Sequence, residues 1–219
     1  MISSSYLIIK AINQAGKLVV FTDLLNLPLD RDRASHGDQI LSLASMTWED
    51  YERLTEENFG YRISYFNGVI AIVSPSRNHE RIAEVINGLI KTYCRKYNLP
   101  YFPMGSTTLK NPPLAGKEPD HSFAFETDQS IPDLAVEVTY TSGSVADLEK
   151  YRALEVKEVW FWNDYEITFY HLVNGNYQEI EESICLPKLT ANFLISFVNR
   201  GLRETPLTIE EEFYDLLID

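Results

Sequence analysis

The segment Pro132-Asp-Leu-Ala-Val-Glu-Val138 is the most informative stretch of the chain, because it sets one acid, Glu137, inside an otherwise apolar strand. Seventeen residues before Glu137, the sequence Glu118-Pro-Asp120 opens another strand with an acid directly after a proline. An ionised carboxylate in an apolar strand is costly unless it is paired, hydrogen-bonded or bound to a metal. We therefore expect Asp120 and Glu137 to come together on adjacent strands.

Two such carboxylates have a specific chemical use. Together with a nearby backbone carbonyl, such as that of Val138, they form a site of hard oxygen ligands suited to Mg²⁺ or Mn²⁺. An ion held there can activate water and stabilise a phosphorane-like transition state. The residues alone leave a simpler alternative open, in which Asp120 caps a turn and Glu137 pairs with an arginine.

The elements around these strands predict the fold class. Asn67-Gly68 lies between two apolar runs and predicts a β-hairpin. Thr47, with Asp50 three residues later, predicts the start of a short helix. A long helix is predicted from Asn78 to about Tyr97, where apolar residues recur at helical spacing. The full order of hairpin, helix, strands, helix, strands and helices predicts an α/β (α+β) fold, with a central mixed β-sheet flanked by helices.

Composition narrows the classes of function. The chain has 219 residues and a formal charge of −13, so a basic nucleic-acid-binding coat is absent. Two cysteines are too few for a disulfide framework, and we interpret both as buried thiols. The sequence contains neither an apolar run long enough to span a membrane nor a signal-peptide pattern. We therefore expect a cytoplasmic protein.

The chain divides into three predicted parts. Residues 1–45 carry short apolar runs with little periodicity, and we interpret them as an N-terminal appendage. Residues 46–200 contain the main domain. Residues 201–219 end in a helix that we expect to pack on that domain.

Several segments together resemble a known family. In order along the chain they are Met46-Thr-Trp-Glu-Asp-Tyr51, Tyr65-Phe-Asn-Gly-Val-Ile-Ala-Ile-Val-Ser-Pro-Ser76, His79-Glu80, Gly105-Ser-Thr-Thr108, Glu118-Pro-Asp120, Pro132–Val138, Thr141-Ser-Gly143, Tyr151-Arg-Ala-Leu-Glu-Val-Lys-Glu-Val-Trp-Phe-Trp162 and Leu186-Pro-Lys-Leu189. Their order and spacing, from about residue 46 to 200, resemble the Uma-two family of restriction-endonuclease-like proteins, within the PD-(D/E)XK nuclease superfamily.

The resemblance implies a function and a site. It implies a restriction-endonuclease-like core and a nuclease that uses Mg²⁺ or Mn²⁺ and leaves 5′-phosphate ends. Asp120 and Glu137 match the two acidic positions of the family, which implies that they are metal ligands. The resemblance also implies a nucleic-acid substrate, which we expect to be DNA, and a homodimer.

The catalytic lysine departs from the family pattern. The superfamily position, two residues after the second acid, is Thr139 here, and the family position on the following helix is Asp147. Lys150 lies less than one helical turn beyond Asp147, so its long side chain can reach the same region. We therefore propose Lys150 as the third catalytic residue, with a surface lysine paired to a nearby acid as the alternative.

Two residues of the long helix are weaker candidates for substrate contact. His79 matches a family histidine at the start of that helix, and Glu84 lies close to its apolar face. A nuclease should also carry a basic rim, for which the sequence offers Arg77, Arg81, Lys110 and Lys117. The alternative hypothesis is a catalytically degenerate member of the fold that acts as a protein-binding or assembly module. The net charge of −13 and the presence of Asp147 at the family's lysine position favour this hypothesis.

Overall fold

A computed structural model describes residues 9–12, 18–21, 37–56, 60–139 and 145–217. These residues form thirteen strands and five α-helices. In chain order they are β1 (Ile9–Ile12), β2 (Leu18–Phe21), β3 (Gln39–Ala44), α1 (Trp48–Glu56), β4 (Arg62–Phe66), β5 (Val69–Ser74), α2 (Arg77–Lys96), β6 (Tyr101–Pro103), β7 (Leu109–Asn111), β8 (Ala115–Lys117), β9 (His121–Phe125), β10 (Leu134–Thr139), α3 (Val145–Ala153), β11 (Glu158–Asn163), β12 (Glu166–Val173), β13 (Asn176–Ile180), α4 (Ala191–Val198) and α5 (Pro206–Leu216).

The first sheet is antiparallel and has the strand order β2-β1-β3-β5-β4-β8-β7. Its central hairpin, β4–β5, turns at Asn67-Gly68, where both residues have positive φ as the favoured two-residue turn requires. Helix α1 begins with a reciprocal cap: the Thr47 amide donates to Asp50 (3.0 Å) and the Asp50 amide donates to Thr47 (3.2 Å). The sequence predictions for the hairpin and for this helix start are therefore confirmed.

The second sheet has the order β13-β12-β11-β10-β9-β6. Its central strands, β10 and β11, run parallel and are joined through α3, whereas the other pairs are antiparallel. The long helix α2 buries its apolar face in the largest core cluster, together with residues of β9 to β12, α4 and α5. Among the described helices, none is both long and apolar enough to cross a lipid bilayer.

The mixed α/β class is confirmed, but the described strands form two sheets where the sequence predicted one. The chain passes between the sheets more than once, and its last passage from the first to the second lies at residues 118–120, between β8 and β9. Pro119 lies in this link, and a proline cannot donate a hydrogen bond to a ladder, so β8 cannot continue through it. The crossing places the end of β8 next to the start of β9, which positions the site described below.

The two predicted appendages are described only in part. Most of residues 1–36 and the segment Thr141-Ser-Gly143 lie outside the described residues, whereas β1, β2 and β3 extend the first sheet. At the other end, α5 buries Ile209 and Phe213 in the largest core cluster. Its N-cap is Thr205, whose hydroxyl accepts from the Thr208 amide.

Candidate active site

Asp120 and Glu137 lie side by side on the second sheet. The pairing of β9 with β10 reaches His121 opposite Val136, and Asp120 and Glu137 are the next residues beyond that pair. The Asp120 amide donates to the Val136 carbonyl at 3.1 Å, so the main chain of Asp120 stays beside β10. Both acids line one small pocket. The structure thus brings together the two acids that the sequence singled out.

Asp120 has two hydrogen-bond partners, His79 and the Val138 amide, and an ion pair with Arg62. Its Oδ1 lies 2.8 Å from His79 Nε2 and 3.5 Å from Arg62 Nε, and its Oδ2 accepts from the Val138 amide at 2.8 Å. Burial raises the pKa of Asp120, but His79, the Val138 amide and Arg62 outweigh it and lower that pKa to about 2. The carboxylate is therefore ionised at neutral pH. Val138 contacts this acid through its N–H, whereas its carbonyl is the atom predicted to bind a metal.

Glu137 has a lysine and a tyrosine as partners. Lys117 Nζ donates to its Oε2 at 3.1 Å, and the Tyr151 hydroxyl donates to its Oε1. Burial raises the pKa of Glu137 to about 7 with the help of Asp120 and Asp147, although Lys117 opposes this shift. Burial also disfavours the Lys117 ammonium, but Glu137 and the other acids raise its pKa above the usual range. Lys117 and Glu137 form a buried ion pair at the point where the chain changes sheets.

Lys117, which the sequence analysis offered for a basic rim around the two acids, is buried and bonded directly to Glu137. It is 8% exposed, and it reaches Glu137 from the last position of β8. Its position three residues before Asp120, at the end of β8, was the available signal. Without the packing of the two sheets, nothing in the sequence directs its side chain inward.

Lys150 lies in the same region but has other partners. Its ammonium donates to Asp147 Oδ1 at 2.6 Å and to Ser64 Oγ at 3.0 Å. Burial lowers the pKa of Lys150, and Asp147 opposes that shift. The predicted catalytic lysine is thus held by Asp147, the residue that stands at the family's lysine position.

His79 is fixed at both ring nitrogens. Its Nδ1 lies 2.9 Å from Asp38 Oδ2, and its Nε2 bonds Asp120. Burial disfavours the imidazolium, but Asp120 and Asp38 raise the pKa of His79 to about 10. His79 therefore bridges two carboxylates within the protein, and Asp38 is a second residue of the site that the sequence reasoning missed.

The other predicted residues lie further out. The Glu84 side chain is 65% exposed, and it pairs with His121 at 3.4 Å and accepts from Asn87 at 3.1 Å. Of the predicted basic rim, Lys110 pairs instead with Glu52 at 3.6 Å, and Arg77 and Arg81 are exposed on α2. Arg62 is the rim cation that lies close to Asp120.

A small pocket of about 70 Å³ opens over the two acids. It is lined by residues of β3, β4, β5, α2, β8, β10 and α3 and of the link before β9: Asp38, Ile40, Arg62, Val73, His79, Lys117, Glu118, Asp120, Glu137, Val138, Thr139 and Asp147. A water molecule needs about 10–15 Å³ of such space, so the pocket has room for a cation and a few ligands around it.

The donor set fits a divalent cation of the magnesium type. Within the described ranges, no three His, Cys, Asp or Glu side chains are arranged to hold a metal. Mg²⁺, however, is commonly held by one or two carboxylates, with waters and substrate phosphates completing its shell. Each carboxylate oxygen accepts about two bonds, so Asp120 Oδ2 and both oxygens of Glu137 keep capacity beyond the donors named above.

Comparison with known proteins identifies the family. Residues 48–190 match the Uma2 family model, “Putative restriction endonuclease”. The match covers roughly two thirds of the chain and includes Asp120, Glu137, Lys117 and His79, whereas Asp38 precedes it. The chain therefore belongs to the Uma2 family, as the sequence motifs predicted.

One solved structure shows a remote likeness. It is the crystal structure of “a putative nuclease belonging to DUF820 from Anabaena variabilis ATCC 29413”, with 14% identity and a TM-score of 0.47. The likeness covers 70% of this chain and 99% of that one, and it is too remote to assign a function. No curated protein matches the chain.

Proposed function

We propose that this protein is a divalent-metal-dependent nuclease that hydrolyses phosphodiester bonds of nucleic acid. The observation that carries the proposal is that Asp120 and Glu137 line the same small pocket. Membership of a restriction-endonuclease family supports the reaction class. Two buried acids in one small pocket are costly without partners, and a bound cation would interact with both of them.

Asp120 and Glu137 would hold Mg²⁺ or Mn²⁺, with the Val138 carbonyl as a further oxygen ligand. When bound, such an ion supplies an activated water and neutralises charge that develops on the phosphoryl group. The carboxylate of Asp120 is suited to this role because it stays ionised at neutral pH.

The surrounding cations are placed where they can interact with the attacking water and with the phosphate. Lys117 places an ammonium 3.1 Å from Glu137, where it can orient a water and offset negative charge on the scissile phosphate. Arg62 lies beside Asp120 and is only partly exposed, so it can face an incoming phosphate. Lys150 stays a proposed catalytic residue, acting through the Asp147 contact, and His79 and Glu84 stay proposed substrate contacts.

Three further features stay predictions from the sequence. They are DNA as the nucleic acid, a homodimer and a cytoplasmic location. Because the chain carries a charge of −13, the substrate must be attracted by the local cations and by the metal rather than by the protein as a whole.

The test is metal binding, followed by cleavage. We expect Mn²⁺ to bind one-to-one per chain in calorimetry at mildly alkaline pH, and Asp120→Asn and Glu137→Gln each to abolish the signal. Glu179→Gln, which removes one exposed acid of β13, is the matched control for the change of charge and should bind as the wild type does. Cleavage of plasmid, linear duplex and single strands with Mn²⁺ then identifies the substrate.

A wild type that binds no Mn²⁺ even at millimolar concentration would contradict the metal mechanism. That result would favour the second function, a catalytically degenerate protein-binding or assembly module. Two observations favour this alternative: Asp147 stands at the family's lysine position, and Lys117, His79 and Arg62 already neutralise the two acids.

A further inference from the structure

We infer that Asp38 is a positioning residue of the active site, which fixes His79 against Asp120 and so sets the orientation of the Asp120 carboxylate. The inference rests on the proposed function, because it gives Asp120 the role of a metal ligand. Asp38 lies before the residues that match the family model, at the start of the segment that leads into β3. The N-terminal part of the chain would then be required for a complete site.

The contacts form a continuous chain from β3 to β9. Asp38 Oδ2 lies 2.9 Å from His79 Nδ1, and His79 Nε2 lies 2.8 Å from Asp120 Oδ1. The three side chains are almost fully shielded from solvent, with 3% of Asp38, 5% of His79 and 3% of Asp120 exposed. A hydrogen bond in such surroundings is not exchanged readily for one to water, so the ring has one well-defined orientation.

Asp38 uses both of its oxygens for this purpose. While Oδ2 bonds the ring of His79, Oδ1 accepts from the Ser76 amide at 2.8 Å, and the Ser76 hydroxyl in turn accepts from the His79 amide. Asp38 therefore binds both the main chain that precedes α2 and the side chain of its third residue. These two contacts fix the position of the main chain at the start of α2 and the orientation of the His79 ring.

The orientation of the His79 ring in turn affects the orientation of the Asp120 carboxylate. With Oδ1 on His79 and Oδ2 on the Val138 amide, the plane of the Asp120 carboxylate is determined by one donor on each side. If His79 were free to rotate, one of these two restraints would be lost while the other remained. Removing a residue that orients a metal ligand typically weakens metal binding by about 10–100-fold.

A purely structural role for Asp38 makes a different prediction. It would lower the stability of the fold, but the folded fraction would bind metal as before and the ring of His79 would keep its environment. The readouts must therefore be metal affinity per folded molecule and the ring signals of His79, and not activity alone.

The experiment compares three variants in the full chain. Asp38→Ala removes both contacts, whereas Asp38→Asn keeps an oxygen for the Ser76 amide and changes only the group that faces His79. Asp50→Ala is the matched control, because Asp50 also accepts from a main-chain amide at the start of a helix, α1, and is not among the residues that line the pocket. The ring signals are assigned among the four histidines by their absence in His79→Gln.

We expect Asp38→Ala and Asp38→Asn to shift the ring signals of His79 and to weaken Mn²⁺ binding by about 10-fold or more. Asp50→Ala should leave both unchanged. Unaltered ring signals in a folded Asp38→Asn would overturn the inference, as would shifted signals with wild-type Mn²⁺ affinity. If the wild type binds no Mn²⁺, the proposed function fails by itself, and the ring signals still test whether Asp38 positions His79.

Discussion

Two glutamates are buried in the parallel strands β10 and β11, and their partners differ in kind. Glu158, at the start of β11, is fully buried and accepts from Trp160 Nε1 (2.5 Å) and from the amides of Ile184 (2.8 Å) and Cys185 (2.9 Å). Glu137, near the end of β10, is held by the side chains of Lys117 and Tyr151 and lines the pocket.

The difference separates a structural carboxylate from one that can exchange partners. Two of the donors to Glu158 are main-chain amides of the segment after β13, and they cannot leave without moving that segment. The donors to Glu137 are side chains, which can shift when a cation or a phosphate arrives. Burial alone therefore does not distinguish the two acids, whereas the type of their partners does.

We expect the largest change in stability from a substitution of Glu158. In Glu158→Ala, a buried indole N–H and two partly buried amides lose their acceptor, and each buried unpaired donor costs about 1–3 kcal/mol. We expect the free energy of unfolding in urea to fall by about 4 kcal/mol. Mn²⁺ affinity of the fraction that stays folded should match the wild type. A Glu158→Ala protein that is as stable as the wild type, or folded but unable to bind Mn²⁺, would contradict the assignment.

Lys117 provides the next test. Lys117→Met leaves Glu137 buried without its cation, and breaking a buried ion pair typically costs about 3–5 kcal/mol. We expect about 3 kcal/mol here, because Glu137 can take up a proton and Tyr151 remains bonded to it.

A double-mutant cycle of Lys117→Met and Glu137→Gln checks this assignment. The coupling energy should be about 2 kcal/mol, since the two side chains are in direct contact. Cleavage should be lost in Lys117→Met while Mn²⁺ still binds, because the lysine is assigned to the water and the phosphate. A coupling energy of zero would show that the two charges are not paired in solution.

Much of the scaffold around these glutamates could be predicted from local sequence. The turn at Asn67-Gly68 and the cap of Thr47 with Asp50 depend on residues within four positions of each other, so their chemistry is visible in the sequence. The pair of Asp120 and Glu137 was predictable for a different reason: an acid in an apolar strand requires a partner.

The same rule also applies to Glu158, and no local sequence pattern separates the two acids. Their roles depend on Lys117, Tyr151 and the segment after β13, which come close only when the strands pair and the two sheets pack. Asp38 and His79 are 41 residues apart in the chain and meet for the same reason. Contacts of this kind follow from tertiary packing, which no local pattern encodes.

The smallest change is expected in the reactivity of the Cys185 thiol, which reports on the charge of Glu158. Burial raises the pKa of the Cys185 thiol, and the charge of Glu158 raises it further. Glu158→Gln removes that charge, so the pKa of Cys185 should fall and the thiolate fraction should rise.

We expect iodoacetamide to alkylate Cys185 roughly 3- to 10-fold faster in Glu158→Gln at mildly alkaline pH. Cys94 is the internal control, because burial alone raises its pKa to about 12 and it has no contact with Glu158 in the described residues. Faster alkylation of both cysteines would indicate general unfolding. A rate for Cys185 that rises equally at every pH would indicate a local opening, whereas a pH profile displaced to lower pH identifies the buried charge of Glu158 as the cause.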